Sequence, residues 1–235
     1  MTSTDRKTSP ISIIIPTRNE AANLVATVAS ARHPAVDEIL VVDSGSDDGT
    51  QEIARHQGAT VILSHPGRAR QMNLGASLAR GETLLFLHGD TRLPPNFAEQ
   101  IALLLGRPGV VAGAFSLAID LPGVALRLVE KAANLRSTLL QMPYGDQAIF
   151  IPRQRFLEAE GYPEVPILED LLLIQRLKKS GRIAIAPLPV LTSGRRWQQF
   201  GVMKTTLLNQ VIILGHLAGL SPHLLQRWYR VGQKF

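Results

Sequence analysis

The sequence predicts an α/β fold built on a mostly parallel sheet. Short apolar runs alternate with segments of helical spacing through the first ~90 residues, which is the pattern of repeated βαβ units. Two of these runs end in an aspartate, Asp43 and Asp90. A chain of 235 residues, 45% of them hydrophobic, suits one domain of ordinary size with a proper core.

The first half supplies four predicted strands with helices between them. Each strand is a continuous apolar run of the kind that is buried in a parallel sheet. The strands are expected at 11–15, 38–42, 60–63 and 83–87. Helices are expected at 48–57 and 68–80, and a further one before them has Thr17 or Asn19 as its N-cap.

The strict alternation loosens in the second half. Apolar residues recur at helical spacing in three segments, 97–105, 123–140 and 168–179. Strands are expected within 110–119, at 147–151, and as two short pieces at 183–185 and 190–191. Residues 200–231 predict one or two terminal helices, broken near Gly219 and Pro222.

Several function classes are disfavoured by what the sequence lacks. The half-sheet resembles a Rossmann-type nucleotide-binding unit, yet no G-x-G-x-x-G follows the first strand, which argues against NAD or FAD. No Walker A sequence is present, and no cysteine is available for disulfides or thiolate metal sites. Residues 1–10 are polar, have no apolar region typical of a signal peptide, and predict a disordered lead-in.

The charge of the chain is unevenly placed. Residues 171–235 contain 10 Lys and Arg and no Asp or Glu, whereas the preceding 170 residues have an excess of acid. Such asymmetry suggests that the C-terminal part contacts something anionic, either a phosphate-bearing ligand or a membrane surface. The simpler alternative is a basic face that contacts only solvent. Nucleic acid is not expected, because the basic residues are not interleaved with exposed aromatics.

Acidic residues mark the expected site. In open α/β sheets, ligands bind outside the carboxyl ends of the strands, where Asp43 and Asp90 stand. Mg²⁺ or Mn²⁺ often uses one or two carboxylates plus substrate phosphates, which suits Asp90, with His88 two residues earlier on the same side. Asp43 can accept a hydrogen bond from a nucleotide. The pair Glu169-Asp170 stands at the start of a helix, where its negative charge either complements the helix dipole or supplies a general base.

Together these strings resemble family 2 glycosyltransferases over about residues 11–200. The resemblance rests on Ile14 to Glu20, Val42 to Thr50, Leu87 to Asp90, Glu169-Asp170 and Arg195 to Trp197, in family order and spacing. It implies the GT-A fold, a Rossmann-like sheet flanked by helices, here with C-terminal helices. The strings at 68–73 and 195–199 further resemble a bacterial subgroup, the radical-SAM/selenium-domain-associated or arsenosugar-biosynthesis glycosyltransferases.

The resemblance also implies roles for individual residues. The nucleotide-binding positions are Pro16, Thr17, Asn19, Glu20 and Asp43, with positive charge from Arg68 or Arg70. Asp90 matches the last acid of the metal motif, where His88 replaces the first acid, and Asp170 matches the catalytic base. The acceptor and diphosphate side is assigned to Asp146, Glu169, Arg196 and Trp197.

The implied activity is transfer of a sugar, with inversion, from a nucleotide sugar to a hydroxyl acceptor. The implied cofactor is Mn²⁺ or Mg²⁺. The implied donor is a UDP-sugar in preference to a GDP-sugar. The acceptor is unknown, and a lipid-linked molecule is one of the candidates. Two rival hypotheses are a nucleotidyltransferase with the same half-sheet and a non-catalytic nucleotide-sugar-binding protein.

We expect a catalytic domain over 11–200 and a helical extension over 201–235. The apolar segment 207–220 is shorter than the roughly 20 residues that a spanning helix needs. Residues 201–231 are therefore expected to pack on the domain, form a homodimer face or lie peripherally in a membrane interface. The expected location is the cytoplasm, at the inner face of the membrane if lipid is contacted.

Overall fold

The computed structural model describes residues 9–232, so nearly all of the predicted lead-in lies outside the described residues. The strands are β1 (Ile11–Thr17), β2 (Val36–Asp43), β3 (Thr60–Leu63), β4 (Thr83–Phe86), β5 (Thr91–Arg92), β6 (Val110–Asp120), β7 (Ile149–Pro152) and β8 (Arg182–Ser193). The helices are α1 (Ala21–Ser30), α2 (Thr50–His56), α3 (Arg68–Leu78), α4 (Phe97–Leu105), α5 (Val124–Leu140), α6 (Arg153–Glu158), α7 (Glu169–Leu177), α8 (Arg195–Phe200), α9 (Val202–Leu217) and α10 (Pro222–Gly232). A 3₁₀ turn, Gly145–Gln147, precedes β7.

All eight strands belong to one sheet, in the order β3-β2-β1-β4-β7-β6-β8-β5. The pairs within β3-β2-β1-β4 are parallel, and so is the pair of β6 with β8. Strand β7 runs antiparallel to both β4 and β6. The predicted α/β class with a mostly parallel sheet is thus confirmed.

The strand order reverses direction between β1 and β4. The chain adds β2 and β3 on one side of β1 and then returns to place β4 on the other side. A crevice at the carboxyl ends of β1 and β4 is the position where such sheets bind ligands. The antiparallel β7 starts at this same edge, since Ile149 pairs with Phe86 at the end of β4. The 3₁₀ turn therefore lies at the crevice.

Two apolar layers cover the sheet. Side chains alternate along β1, so Ile13 and Ile15 join one cluster and Ile14 joins the other. The first cluster includes residues of α1, α2, α4 and α5, and the second includes residues of α3, α6 and α7. Burial on both faces explains why the strands are continuous apolar runs.

One strand differs from the prediction. The two short pieces expected at 183–185 and 190–191 form a single strand, β8. Its pairing with β6 shifts register where Phe115 faces Ala186 and the next residue, Ser116, faces Pro189. Prolines donate no ladder hydrogen bond, so they predict a break; here a bulge accommodates them within a continuous strand.

The C-terminal region forms a helical hairpin. Helix α9 contacts α8, α5 and α10. Leu225 of α10 packs against Gly215, and Leu208 packs against Gly232, so the two helices run antiparallel. The break near Gly219 and Pro222 is as predicted. Among residues 9–232, no helix has both the length and the apolar character needed to cross a bilayer.

Candidate active site

Two loops at the crevice are tied together by hydrogen bonds. The loop after β1 and the loop after β2 exchange bonds from the Asn19 amide to Ser46 Oγ, 2.8 Å, and from the Asp47 amide to Asn19 Oδ1, 3.1 Å. The amide of Glu20 donates to Thr50 Oγ1, 2.9 Å. Asn19 adopts φ 57°, a left-handed conformation that asparagine tolerates better than most residues. The predicted nucleotide loop is therefore held in one shape by its neighbour.

The start of α1 is capped from a distance. The expected N-cap, Thr17 or Asn19, is wrong: neither side chain caps the helix, and Asn19 Oδ1 accepts from the amide of Asp47 in the opposite loop. Instead, Asp48 Oδ2 accepts from the amide of Ala21, 3.0 Å. Its other oxygen accepts from the amide of Thr50, 3.0 Å, so one carboxylate serves the first turns of both α1 and α2.

Asp43 is fully buried and organises the loop that follows it. Its oxygens accept from Thr17 Oγ1, the amides of Gly45 and Ser46, Gln51 Nε2 and Ser46 Oγ. Burial raises the pKa of Asp43, but these hydrogen bonds outweigh it and hold the pKa below its usual value. Since a carboxylate offers about four lone-pair positions, a nucleotide would have to displace one of the present partners.

Gln71 is a structural residue of this region that the sequence analysis did not single out. Its side-chain amide donates to the carbonyls of Thr17, 2.9 Å, and Val42, 2.7 Å. These carbonyls lie near the ends of β1 and β2, so Gln71 ties α3 to the floor of the crevice. One indication of this role is visible in the sequence, because Gln71 stands among the apolar residues Ala69, Met72 and Ala76, which are buried on α3.

His88 and Asp90 follow β4, as predicted, and face different surroundings. The Nε2 atom of His88 is buried and has no hydrogen-bond partner. Burial, and next the guanidinium of Arg68, lowers the pKa of His88 to about 3, so its ring is neutral near neutral pH. Burial raises the pKa of Asp90, while Arg195, 3.5 Å away, opposes the rise.

Arg195 bridges the two sides of the crevice. Its Nη2 atom lies 2.9 Å from both carboxylate oxygens of Glu20 and 3.5 Å from Asp90. Burial raises the pKa of Glu20, and the bond from Arg195 works against that rise. The sequence motif assigned roles to Arg196 and Trp197, and the structure adds Arg195 as a cation between the predicted nucleotide and metal positions.

Arg196 and Trp197 turn away from Arg195. Arg196 donates to Asn209 Oδ1, 3.3 Å, and stacks over the ring of Tyr229 at 4.7 Å. Burial lowers the pKa of Arg196, and the positive charge of Arg68 lowers it further. Trp197 packs against the first apolar cluster. Arg196 thus joins the crevice to the helical hairpin.

Asp170 is buried beside the 3₁₀ turn and His88. Its Oδ2 atom accepts from the Gly145 amide, 3.1 Å, whereas its Oδ1 atom is buried without a partner. A methyl group on Gly145 would lie 2.3 Å from Asp170 Oδ2 and 2.9 Å from His88 Nε2, so these two side chains meet at this glycine. Burial, reinforced by Glu169, raises the pKa of Asp170 to about 8.

Asp146 and the half-exposed Arg68 belong to the same group of charged side chains. Asp146 has a buried Oδ1 atom without a partner, and burial raises its pKa against the charge of Arg136. Arg68 lies 3.5 Å from Glu169. Desolvation opposes the charge of Arg68, but the surrounding carboxylates, including Asp90, outweigh it and raise its pKa. Carboxylates from three separate segments therefore converge around one guanidinium.

Arg70 is placed apart from Arg68. It pairs with Glu164, 3.1 Å, and borders a hollow formed with Leu63, Ser64, His65 and Leu74. Pro16 lies partly buried at the end of β1.

Tyr162 is another residue that no sequence motif indicated. It is buried with an unpartnered hydroxyl, and its pKa is raised by burial and by the charge of Asp170.

The residues that the structure describes contain no cluster of three or more His, Asp or Glu side chains arranged to hold a metal ion by themselves. The predicted ligands number two, Asp90 and His88, so any ion here would need further ligands from water or from a bound phosphate.

Comparison with known proteins gives one family and a set of similar folds. The family model described as Glycosyl transferase family 2 matches residues 12–159. Glycosyltransferase AglE of Haloferax volcanii is 30% identical over 139 residues, which is 54% of this chain and 46% of the relative. A PGL/p-HBAD biosynthesis glycosyltransferase of Mycobacterium tuberculosis is 43% identical over 91 residues, or 35% of this chain and 36% of the relative. The matches thus span less than half of these relatives.

Solved structures share the architecture. Glucosyl-3-phosphoglycerate synthase from Mycobacterium tuberculosis, in complex with phosphoglyceric acid, has a TM-score of 0.64 at 21% identity over 90% of this chain and 81% of that chain. TarS 1-349 of S. aureus has a TM-score of 0.61 at 18% identity, over 83% and 64% respectively. These likenesses confirm the predicted GT-A fold.

Proposed function

Since the chain belongs to glycosyl transferase family 2, we propose that it moves a sugar, in one inverting displacement, from a nucleotide-sugar donor to a hydroxyl acceptor. One observation carries the proposal: the Oδ1 atom of Asp170 is buried without a hydrogen-bond partner, beside Gly145 and His88 at the end of β4. A carboxylate so placed can take a proton from a hydroxyl beside the donor.

The donor is a nucleoside diphosphate sugar, with UDP preferred over GDP. The interlocked loops that contain Asn19, Glu20 and Ser46 form the nucleoside end of the site. A glucosyl-3-phosphoglycerate synthase structure in complex with Mn²⁺, UDP-glucose and glycerol 3-phosphate supports this donor class, at 25% identity and a TM-score of 0.58. By analogy with that neighbour, the transferred group is a hexose.

A divalent ion, Mn²⁺ or Mg²⁺, fits the end of β4. The partly exposed carboxylate of Asp90 and the unpartnered, neutral Nε2 of His88 are the donors that would hold it. With only two protein donors, such an ion would need further ligands from the diphosphate and from water. When bound, the ion stabilises negative charge on the departing diphosphate.

Arginines of this chain share that task. Arg68 and Arg195 flank the crevice, and each is now paired with a carboxylate, Glu169 or Glu20. A diphosphate also accepts bidentate hydrogen bonds from arginine and is more highly charged than one carboxylate, so a bound donor would compete with these partners for both guanidinium groups. Arg196 adds charge from the hairpin side.

The chemical step is a direct displacement. The acceptor oxygen forms a bond to the anomeric carbon as the bond from that carbon to the diphosphate oxygen breaks, and attack from the opposite face inverts the configuration. The hydroxyl proton passes to Asp170 Oδ1. Glu169 and Asp146 line the acceptor side, with Trp197 behind Arg196.

The finer assignments belong to the same proposal. The chain falls in the radical-SAM/selenium-domain-associated subgroup, on the strings at 68–73 and 195–199. Residues 11–200 form the catalytic unit and 201–235 an extension of it. The acceptor is a hydroxyl compound of unknown identity; a lipid-linked one would place the protein at the cytoplasmic face of a membrane.

Turnover of a donor panel tests the proposal. UDP-, GDP- and dTDP-sugars are incubated with the full chain and Mn²⁺, and release of the nucleotide is measured with and without EDTA. Faster release from a UDP-sugar, lost on chelation, supports the proposal. Binding without turnover of any donor would favour a non-catalytic nucleotide-sugar-binding protein, and release of pyrophosphate from a nucleoside triphosphate would favour a nucleotidyltransferase.

A further inference from the structure

Helix α9 presents an apolar stripe to solvent. Its buried residues are Thr205, Ile212 and Gly215, which mark the side turned to the protein. The opposite side is apolar at helical spacing over about four turns of the helix. The exposed fractions are Met203 73%, Leu207 59%, Val211 46%, Leu214 63% and Leu217 68%.

Helix α5 has a second stripe of the same kind. It buries Leu126, Glu130 and Ser137 and turns larger apolar residues outward. Those exposed residues are Val124, Leu128, Leu135 and Leu139, again at helical spacing. Helix α5 contacts α9, so the two stripes lie on neighbouring helices.

Such a surface is unusual for a protein face that meets only water. Single exposed leucines are ordinary, but contiguous apolar patches mark interaction sites. The two stripes are carried by helices that contact each other and whose inner residues are already packed. A partner surface is therefore expected to cover the outward faces of α5 and α9.

The surroundings of the stripes are basic. Residues 171–235 contain no acid. None of the ion pairs among residues 9–232 involves Lys131, Lys204, Arg227 or Arg230. Trp228, 42% exposed, lies beside Arg227 on α10, and tryptophan favours the boundary between lipid and water.

We propose that the α5–α9 stripes, with the basic residues around them, dock on the surface of an anionic lipid bilayer. The leucines enter the acyl boundary while the lysines and arginines meet lipid phosphates. No helix within residues 9–232 can span a bilayer, so the contact lies along the interface. A two-fold dimer through this patch would instead set basic residues against their own copies, which an anionic surface avoids.

The helical hairpin that includes the α9 stripe also contacts residues around the crevice. Arg196 contacts Asn209 of α9 and Tyr229 of α10, and Gln226 donates to the Pro166 carbonyl in the loop that leads to Asp170. A hydroxyl acceptor anchored in the bilayer would then reach the crevice from the hairpin side. This last step rests on the proposed function, whereas the docking surface does not.

Vesicle flotation of the full chain tests the docking. Vesicles of phosphatidylglycerol and phosphatidylcholine in equal parts are compared with pure phosphatidylcholine, at low and high salt. We expect binding to the anionic vesicles, weakened by salt and by removal of the anionic lipid. The double variant Leu207→Glu, Leu214→Glu should reduce binding by at least about tenfold, since each change removes an exposed apolar side chain from the contact.

A matched control uses two leucines of similar exposure elsewhere, Leu103→Glu with Leu157→Glu (55% and 61% exposed), and should bind as wild type does. Circular dichroism verifies folding, and if the α9 variant is unfolded, Leu128→Glu with Leu135→Glu on α5 replaces it. Failure of wild type to float with anionic vesicles overturns the proposal. So does a wild-type dimer that the α9 variant converts to monomer. Both results are independent of whether sugar transfer is observed.

Discussion

Asp170 combines two properties that a general base needs. One oxygen accepts from the Gly145 amide, and the other is buried without a hydrogen-bond partner. Its raised pKa makes the carboxylate a better proton acceptor than an exposed aspartate, at the expense of being protonated near neutral pH. The sequence could give the position of the Glu-Asp pair, but not which oxygen is free or what surrounds it.

The rate of transfer should depend on the ionisation of Asp170. Because only the ionised carboxylate can accept a proton and its pKa is about 8, kcat/KM for the donor should rise with pH and level off above that value. Initial rates of UDP release across this range measure the midpoint. A profile that stays flat from about pH 6 to about pH 9 would contradict the assignment of the base.

The same group should make the fold less stable as pH rises. The folded-state pKa of about 8 lies above the ordinary 3.8, so the folded protein binds more protons and its stability falls between these two values. Asp170→Asn removes this titration. Denaturant unfolding should show a shallower pH dependence of the free energy of unfolding for the variant, and identical slopes for the two proteins would count against a buried, protonated Asp170.

Asp90 is expected to govern the response to metal. Asp90→Ala leaves His88 as the single protein donor, which is too few for a hard divalent ion. Titration of Mn²⁺ into the transfer assay should give activation in wild type and little or none in the variant. Asp47→Ala, at an exposed residue of the loop after β2, serves as the control. Full activity of wild type in EDTA would argue that Arg68 and Arg195 alone neutralise the diphosphate.

At the scale of elements, the 3₁₀ turn is what brings the site together. It starts at the edge of the sheet because β7 runs antiparallel to β4, and it places Asp146 and the Gly145 amide beside α7. Neither the turn nor α6 and α8, each six residues long, was predicted. Segments this short have too few residues to show a helical period.

Gly145 should tolerate no side chain. Its Cβ would lie 2.3 Å from Asp170 Oδ2, so Gly145→Ala must displace the base or the turn. Transfer should fall by at least about tenfold, because a misplaced catalytic group costs that much or more. The melting temperature should change much less than for a core substitution. Gly106→Ala, at the end of α4 with φ −74°, is the control, and unchanged transfer by Gly145→Ala would refute the positioning role.

Longer elements were predictable because their apolar period repeats often enough to be read. The helices 97–105 and 168–179 were found within about two residues, and Gly58 stands in a left-handed conformation after α2, as a helix stop should. Strand β8 was not predictable as one strand. Pro187 and Pro189 indicate a local break in the strand, but the pairing of β8 with β6 overrides that preference. Asp43 shows a different limit: the sequence gives a carboxylate at a strand end, while its saturation by five donors depends on the fold.

At the scale of the whole molecule, charge and apolar surface are segregated. The acidic pocket lies at the carboxyl ends of the strands, and the basic, apolar-striped helices lie beside it. The uneven charge was visible in the sequence. The sequence did not show that the α9 leucines point outward, because an apolar stripe on a helix usually faces the core.

The most direct test of the account compares sugar transfer and UDP binding in wild type and Asp170→Asn. Wild type should release UDP from a UDP-sugar in the presence of acceptor and Mn²⁺. The variant keeps the shape of the side chain but cannot accept a proton, so its transfer rate should fall by about 10²- to 10⁴-fold while calorimetric affinity for UDP stays within a few fold. Substantial transfer by Asp170→Asn would remove Asp170 from the role of base and contradict the account.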